Sequence, residues 1–105
     1  MLDKATDTVR TVYVSATPRD IDVMHVDSIG GIDFDTVHFG TFSNNCMGQH
    51  YAPMVAAHYA INCGAQRVAM KAKGVYKGIV DEMRDTLNAE FARHLTICAN
   101  FSAET

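Results

Sequence analysis

The apolar residues of this 105-residue chain change their spacing repeatedly, and the order of those spacings restricts the fold more than any other feature. Apolar and polar residues alternate up to residue 39, as in strands with one buried face. Residues 46–62 are small and apolar at helical spacing, residues 66–72 alternate again, and a second helical stretch precedes a last β-like segment. The predicted order is βββαβαβ. A meander followed by a βαβ unit predicts one α/β domain whose mixed sheet carries both helices.

Turn-forming residues separate the strands of the meander. Pro18 lies in the first predicted turn, Gly30 and Gly31 form a hairpin signal, and Gly40 is expected to end the third strand. The three strands are predicted over residues 9–15, 21–27 and 33–39.

The second half of the chain is predicted to contain two helices and two strands. The first helix is expected to begin near residue 51, with Pro53 in its first turn, and the second spans about residues 79–90. Asp81 and Glu82 are expected in the first turn of the second helix, where its dipole favours acids. The strands are predicted over residues 66–72 and 94–101, with Cys98 in the core. The predicted core includes Val12, Val14, Val68, Met70, Leu95 and Ile97.

Size and composition indicate a single globular domain over residues 1–105, with 48% apolar and 20% charged residues. No apolar run is long enough for a transmembrane helix. The three cysteines are odd in number and widely spaced, which favours a reducing compartment over a disulfide framework. We expect no signal or transit peptide, an extension or flexible segment over residues 1–8, and a short tail over residues 102–105.

Charge is unevenly distributed along the chain, although its net value is only −3. Residues 36–78 contain no acid but carry Arg67, Lys71, Lys73 and Lys77. A buried alanine-rich helix that excludes charge is one explanation of this asymmetry. The other is a face that meets phosphate.

Two segments within this stretch suit phosphate binding. Lys71 and Lys73 share a face of the predicted strand, and Tyr76 and Lys77 follow in a glycine-flanked loop whose amides can approach an anion. A solvated edge strand protected by lysines is the alternative. The loop is not a P-loop, because no Gly-Lys-Ser/Thr ends it.

The second segment is the turn before the first helix. It contains Gly40, Thr41, Ser43, Asn44 and Asn45, whose amides and side chains can bind phosphate or a 2′-hydroxyl. Simple N-capping of the helix would also explain the asparagines.

The sequence also contains residue types that are used in metal binding and in hydrolysis. The residues that invite a metal or hydrolase hypothesis are Cys46, His50, His58 and Cys63, and the pairs Asp20/Asp22 and Asp33/Asp35. The first set lacks a second CxxC-type pair and is interrupted by Pro53, while i,i+2 carboxylates on a hairpin are usually solvated. No nucleophile signature is present. We therefore predict no enzyme, no catalytic residue, no metal and no cofactor.

Several segments resemble the small-subunit ribosomal protein S-eleven family of the ribosomal platform. Residues 37–41 stand where that family has a Gly-Phe-Arg-Gly-Ser-type loop, residues 56–64 resemble its alanine-rich helix, and residues 68–74 its strand ending in Val-Lys-Gly. The resemblance covers about residues 9–102. It implies a five-stranded sheet of order 3-2-1-4-5 with two helices and a ribonuclease H-like motif. It also implies a structural role that binds rRNA and neighbouring ribosomal proteins, with no membrane and no small-molecule substrate.

The departures from that family favour a divergent mitochondrial ribosome, with a cytoplasmic ribosome as the alternative location. Val75 and Tyr76 occupy a loop that is normally rich in glycine and proline, and we expect the family's basic C-terminal tail to be missing. Phosphate neutralisation supplies much of the affinity for RNA, so these losses fit a ribosome in which protein replaces RNA.

Two other hypotheses remain open. The first is an α/β protein–protein interaction module that does not bind RNA. The second is a small metal-dependent hydrolase that uses Asp20, Asp22 or Asp33.

Overall fold

The computed structural model describes residues 8–43, 48–74, 77–94 and 96–104. Its seven elements follow the predicted order βββαβαβ. They are β1 (Val9–Ala16), β2 (Asp20–Ile29), β3 (Ile32–Ser43), α1 (Gly48–Cys63), β4 (Arg67–Lys73), α2 (Lys77–Phe91) and β5 (Cys98–Glu104). Within the described residues, no helix has the length and apolar character needed to cross a membrane.

The five strands form one mixed sheet in the order β3-β2-β1-β4-β5, which confirms the predicted order 3-2-1-4-5. β2 is antiparallel to β1 and β3, whereas β4 is parallel to β1 and β5. β1, β3, β4 and β5 therefore run in the same direction. Their last residues lie at one end of the sheet, which we call the carboxyl end.

Both helices pack on one face of the sheet. Alternate residues of β1 and β4 point into the core, and the predicted core residues Val12, Val14, Val68 and Met70 are at most 1% exposed. The predicted core residue Ile97 packs against this cluster and is partly buried, while Leu95 lies outside the described residues.

The two helices bury different kinds of surface. α2 contributes an amphipathic stripe to the core, formed by Val80, Met83, Leu87 and Phe91. α1 contributes alanines at positions 52, 56, 57 and 60, whose small side chains let its backbone approach the sheet closely.

The predicted end of the third strand at Gly40 is wrong, because β3 continues to Ser43. Val23 is in register with Gly40 and Met24 with His38, so Phe39 is an extra residue in a β-bulge. The φ of Gly40 is +146°, a region that favours glycine. The glycine allows the bulge, and the ladder to β2 resumes beyond it.

Both helices begin earlier than predicted. α1 begins at Gly48, so Pro53 lies inside the helix and not in its first turn. The proline lacks an N–H and therefore leaves out one intrahelical hydrogen bond, although its ring is buried in the core. α2 begins at Lys77, which places Asp81 and Glu82 beyond its first turn.

The last strand begins later than predicted. Cys98 is its first residue, in register with Arg67, and residues 102–104 belong to the strand and not to a tail. In the connection between α2 and β5, the amide of Ile97 donates to the carbonyl of His94 at 2.9 Å. Cys98, predicted to be a core residue, is exposed because its side chain points away from the helices. Residues 1–7 of the predicted N-terminal extension lie outside the described residues.

Candidate nucleic-acid interface

The face of the sheet opposite the helices carries three of the four predicted basic residues, Arg67, Lys71 and Lys73. We call it the open face, because no helix or strand of the described part of the chain covers it. Its members on β1, β2, β4 and β5 are the residues that alternate with the buried ones. They include Tyr13 and Ser15 on β1, Asp22 and Met24 on β2, Arg67, Ala69, Lys71 and Lys73 on β4, and Asn100 and Ser102 on β5.

The strand register arranges the open face in rows that cross the whole sheet. One row is Thr41, Asp22, Ser15, Lys71 and Ser102. The next row is His38, Met24, Tyr13, Ala69 and Asn100. Neighbouring strands are about 4.8 Å apart, so the Cα atoms of Asp22 and Lys71 are separated by roughly 10 Å. The open face is therefore acidic on β2 and basic on β4.

Arg67, Lys71 and Lys73 all lie on the open face, as their alternation predicts. They form a stripe along β4 with Arg67 at its start, roughly 13 Å from Lys71. Lys73 is in register with Glu104 of β5. Lys77 is the first residue of α2, and Tyr76 lies outside the described residues.

The predicted turn before α1 reaches the same end of the molecule. Gly40 and Thr41 lie in β3 and Ser43 is its last residue, while Asn44 and Asn45 lie outside the described residues. Three strand spacings, about 14 Å, separate β3 from β4. The structure thus brings the ends of both predicted segments to the carboxyl end of the sheet.

The turn between β1 and β2 lies between these two segments. Thr17 donates its amide to the carbonyl of Asp20 at 2.8 Å and closes the turn. Gly74 follows β4 with a φ of +71°, and a Cβ built on it would lie 3.6 Å from Cδ of Pro18. This approach packs the end of β4 against the turn that carries Arg19.

Asp22 is the centre of a hydrogen-bonded cluster that the sequence did not predict. Its Oδ1 accepts a hydrogen bond from Oγ1 of Thr41 at 2.8 Å and lies 2.6 Å from Nε2 of His38. The hydrogen bond with His38, and then that with Thr41, lowers the pKa of the Asp22 carboxyl below its usual value. Residues three apart on a regular strand point to opposite faces. The bulge at Phe39 puts His38 and Thr41 on the same face.

A cavity of about 310 Å³ opens on the open face across β1, β4 and β5. Sequence reasoning missed most of its lining, although the place of Tyr13 between two buried valines was a usable signal. The lining residues are Tyr13, Val14, Ser15, Ala69, Met70, Lys71, Asn100, Phe101 and Ser102.

The carboxylates considered for hydrolysis do not meet in one site. Asp20 begins β2, whereas Asp33 is in register with Ser28, roughly 26 Å further along the same strand. Asp33 and Asp35 are exposed on β3.

The residues considered for a metal site are spread along α1. His58 is exposed and bonds to Asn62, and Cys63 contacts the carbonyl of Ala60, while Cys46 lies outside the described residues. No group of three His, Cys, Asp or Glu converges within the described ranges.

The arrangement of strands and helices is the ribonuclease H-like fold, and superposition on one solved structure bears this out. T. thermophilus RuvC in complex with a Holliday junction substrate superposes with a TM-score of 0.54 at 4% identity, over 90% of this chain and 64% of that one. A structure of an Aquifex aeolicus PPX-GPPA enzyme is also similar, with a TM-score of 0.48 at 7% identity over 92% of this chain and 36% of that one, and the fold assignment does not depend on it.

These similarities extend to the fold alone. This chain spans less than two thirds of the length of either structure. No protein-family model matches the sequence. No curated protein sequence is detectably similar to it.

Proposed function

We propose that this protein is a structural constituent of the small ribosomal subunit of a mitochondrial ribosome, similar to the S-eleven platform family. It binds rRNA through the open face and the carboxyl end of its sheet. The observation that carries the proposal is the stripe of Arg67, Lys71 and Lys73 on one exposed sheet face. Cations that share a face can neutralise successive phosphates of one RNA strand.

The fold supports this proposal. The sheet order 3-2-1-4-5 with a ribonuclease H-like arrangement is the fold that the resemblance to the S-eleven family implies. A fold hosts many functions, so the charge and geometry of the open face carry the functional argument.

The exposed acids of β3 support protein neighbours at that edge of the sheet. Asp33 and Asp35 are exposed on β3, away from the basic stripe. Carboxylates repel phosphate, so we expect this edge of the sheet to face protein or solvent. The partners we propose are therefore rRNA and neighbouring small-subunit proteins.

Sedimentation of native lysate tests the proposal. We expect the tagged chain to travel with small ribosomal subunits and to be recovered from the mitochondrial fraction. Recovery with cytoplasmic ribosomes would contradict the mitochondrial location and support the ribosomal role. Recovery only as a free protein or oligomer would overturn the ribosomal assignment.

A charge-reversal variant tests the interface. Replacing Lys71, Lys73 and Lys77 together by Glu is expected to abolish incorporation into the subunit. The control replaces Asp3 and Asp7 by Ala, leaves Glu104 in place beside Lys73, and is expected to incorporate normally. Equal incorporation of both variants would contradict the placement of RNA on β4.

A protein–protein interaction module without RNA binding is the second candidate, and one feature favours it. Ile32, Phe34 and Val37 are exposed on β3, an edge strand of the sheet, with Ile32 73% exposed. Exposed apolar side chains beside an unpaired strand edge are typical of protein-binding surfaces. If the chain stays associated with subunit proteins after ribonuclease has digested the RNA, this candidate would be favoured.

A further inference from the structure

We propose that the cavity on the open face holds one unstacked base of a single-stranded RNA segment, with Tyr13 as the stacking surface. Arg67 and Lys71 bind the phosphates on either side of that base. This inference rests on the proposed function, because it names the RNA element that the open face recognises.

The cavity has the size and lining of a small-ligand site. Its volume of about 310 Å³ is near the lower end of the range for such sites. Ala69 forms the middle of its floor, between Tyr13 on β1 and Asn100 on β5 in the register. A methyl group at that position leaves room for a flat ring to approach the sheet.

The two side chains that flank Ala69 suit a nucleobase. Tyr13 is 42% exposed although it lies in a central strand between two buried valines. An exposed aromatic ring on a sheet is a stacking platform for bases in single-stranded RNA. Asn100 carries both a donor and an acceptor, so its amide can bond to the edge of a base that lies over Ala69.

The charges along β4 match the alternation of phosphate and base. Arg67, Ala69 and Lys71 occupy successive positions of the open face, so each cation lies roughly 6.6 Å along the strand from the alanine. Ser15 and Ser102 flank Lys71 in its row and add hydroxyl donors for a phosphate oxygen. A base over Ala69 thus has a cation on each side.

The acidic side of the open face sets where the backbone of the RNA runs. Asp22 lies next to Ser15 in the same row as Lys71, and an aspartate is ionised at neutral pH. A carboxylate repels phosphate, so the RNA backbone is directed along β4 and β5 and away from β2.

Binding of short RNA to the full-length chain tests the inference. The probes are fluorescein-labelled hexanucleotides of uridine and of adenosine, titrated at 50 mM salt and followed by anisotropy. Tyr13→Ala is expected to weaken binding about fivefold to 150-fold, the range for loss of one base–aromatic stack. Tyr13→Phe keeps the ring and is expected to bind like the unmodified protein.

Tyr51→Ala is the matched control, because Tyr51 is 49% exposed but lies on α1, on the other side of the sheet. Its affinity is expected to be unchanged. Circular dichroism of the Tyr13 and Tyr51 variants confirms that each is folded before binding is compared.

The outcomes separate this inference from the proposed function. If Arg67→Met with Lys71→Met abolishes binding while Tyr13→Ala behaves like Tyr51→Ala, the base site is wrong and the RNA interface stands. If neither the cation pair nor Tyr13 affects binding, or if neither probe binds, both the base site and the RNA interface are wrong. A shift of the Asn100 side-chain amide in NMR spectra on addition of either probe would support the base site directly.

Discussion

Arg10 on β1 and Asp27 on β2 are joined by two hydrogen bonds, from Nε to Oδ1 at 2.8 Å and from Nη2 to Oδ2 at 3.1 Å. Nη1 of Arg10 also donates to the carbonyl oxygen of Cys63, the last residue of α1, at 2.7 Å. A helix ends with carbonyls that lack intrahelical partners, and Arg10 satisfies one of them. The pair therefore ties the end of α1 to the sheet.

Breaking this pair is expected to destabilise the fold. The side chain of Asp27 is only 8% exposed, so Asp27→Asn leaves the guanidinium of Arg10 beside a partly buried neutral group. We expect the free energy of unfolding to fall by about 2 kcal/mol. This is less than the usual cost of breaking a buried ion pair, because Arg10 is one third exposed. Urea unfolding measures this change in the free energy of unfolding. Asp85→Asn, an exposed change on α2, is the control and is expected to stay within about 0.5 kcal/mol.

The same carboxylate predicts a pH dependence. The hydrogen bond from Arg10 lowers the pKa of Asp27 in the folded protein. Its contribution to stability is therefore complete above the unfolded value, about 3.9, and is lost as the pH falls through the lowered folded value. The free energy of unfolding of the unmodified protein and of Asp27→Asn is measured with urea at pH 7, 5, 4 and 3. The difference between the two is expected to stay constant down to about pH 4 and to become smaller below it. A gap that widens on acidification would contradict this assignment.

Gly40→Ala tests the bulge. A Cβ at this position meets no atom within 4 Å, so the cost comes from the φ of +146° and is about 1–2 kcal/mol. If the strand relaxes, His38 and Thr41 no longer reach Asp22 together, and the pKa of Asp22 rises toward its usual value. NMR titration of Asp22 follows the second effect. Gly78→Ala, on helix α2, is expected to stabilise the protein, because alanine has a higher helix propensity than glycine.

Substitutions at Val68 test the core between β4 and the helices. It is fully buried, and Val68→Ala is expected to cost about 2 kcal/mol through lost contacts and the remaining cavity. Val68→Asp is expected to cost several kcal/mol more or to prevent folding, because it buries an unpaired charge. Val37→Ala, at a position that is 39% exposed, is the control and is expected to cost little. A larger loss of thermal stability in Val37→Ala than in Val68→Ala would contradict the assigned core.

The salt dependence of RNA binding counts the phosphate contacts of β4. For single strands the slope of log affinity against log salt is about −0.7 for each phosphate contacted. Replacing Arg67, Lys71 and Lys73 by Met is expected to reduce the magnitude of the slope by about 2. A weaker affinity with an unchanged slope would mean that these residues act through the fold.

The order of elements and most core positions were predictable from the sequence, whereas strand ends were not. The predicted sheet order came from the family resemblance, and the structure confirms it. β3 passes through Gly40 and β5 begins at Cys98, in each case against prediction. A strand lasts as long as a neighbour supplies hydrogen bonds, and the spacing of apolar residues does not contain that information.

Local chemistry in the sequence determined that β1 and β4 each have one buried and one exposed face, because side chains of a strand alternate whatever its partners are. It therefore placed Lys71 and Lys73 on a common face before any fold was known. Only the tertiary structure decided that His38 and Thr41 meet at Asp22, and that Tyr13, Ala69 and Asn100 share one cavity. Those groupings depend on a bulge and on the register between strands more than 50 residues apart in the chain, which are set by packing of the complete sheet against both helices.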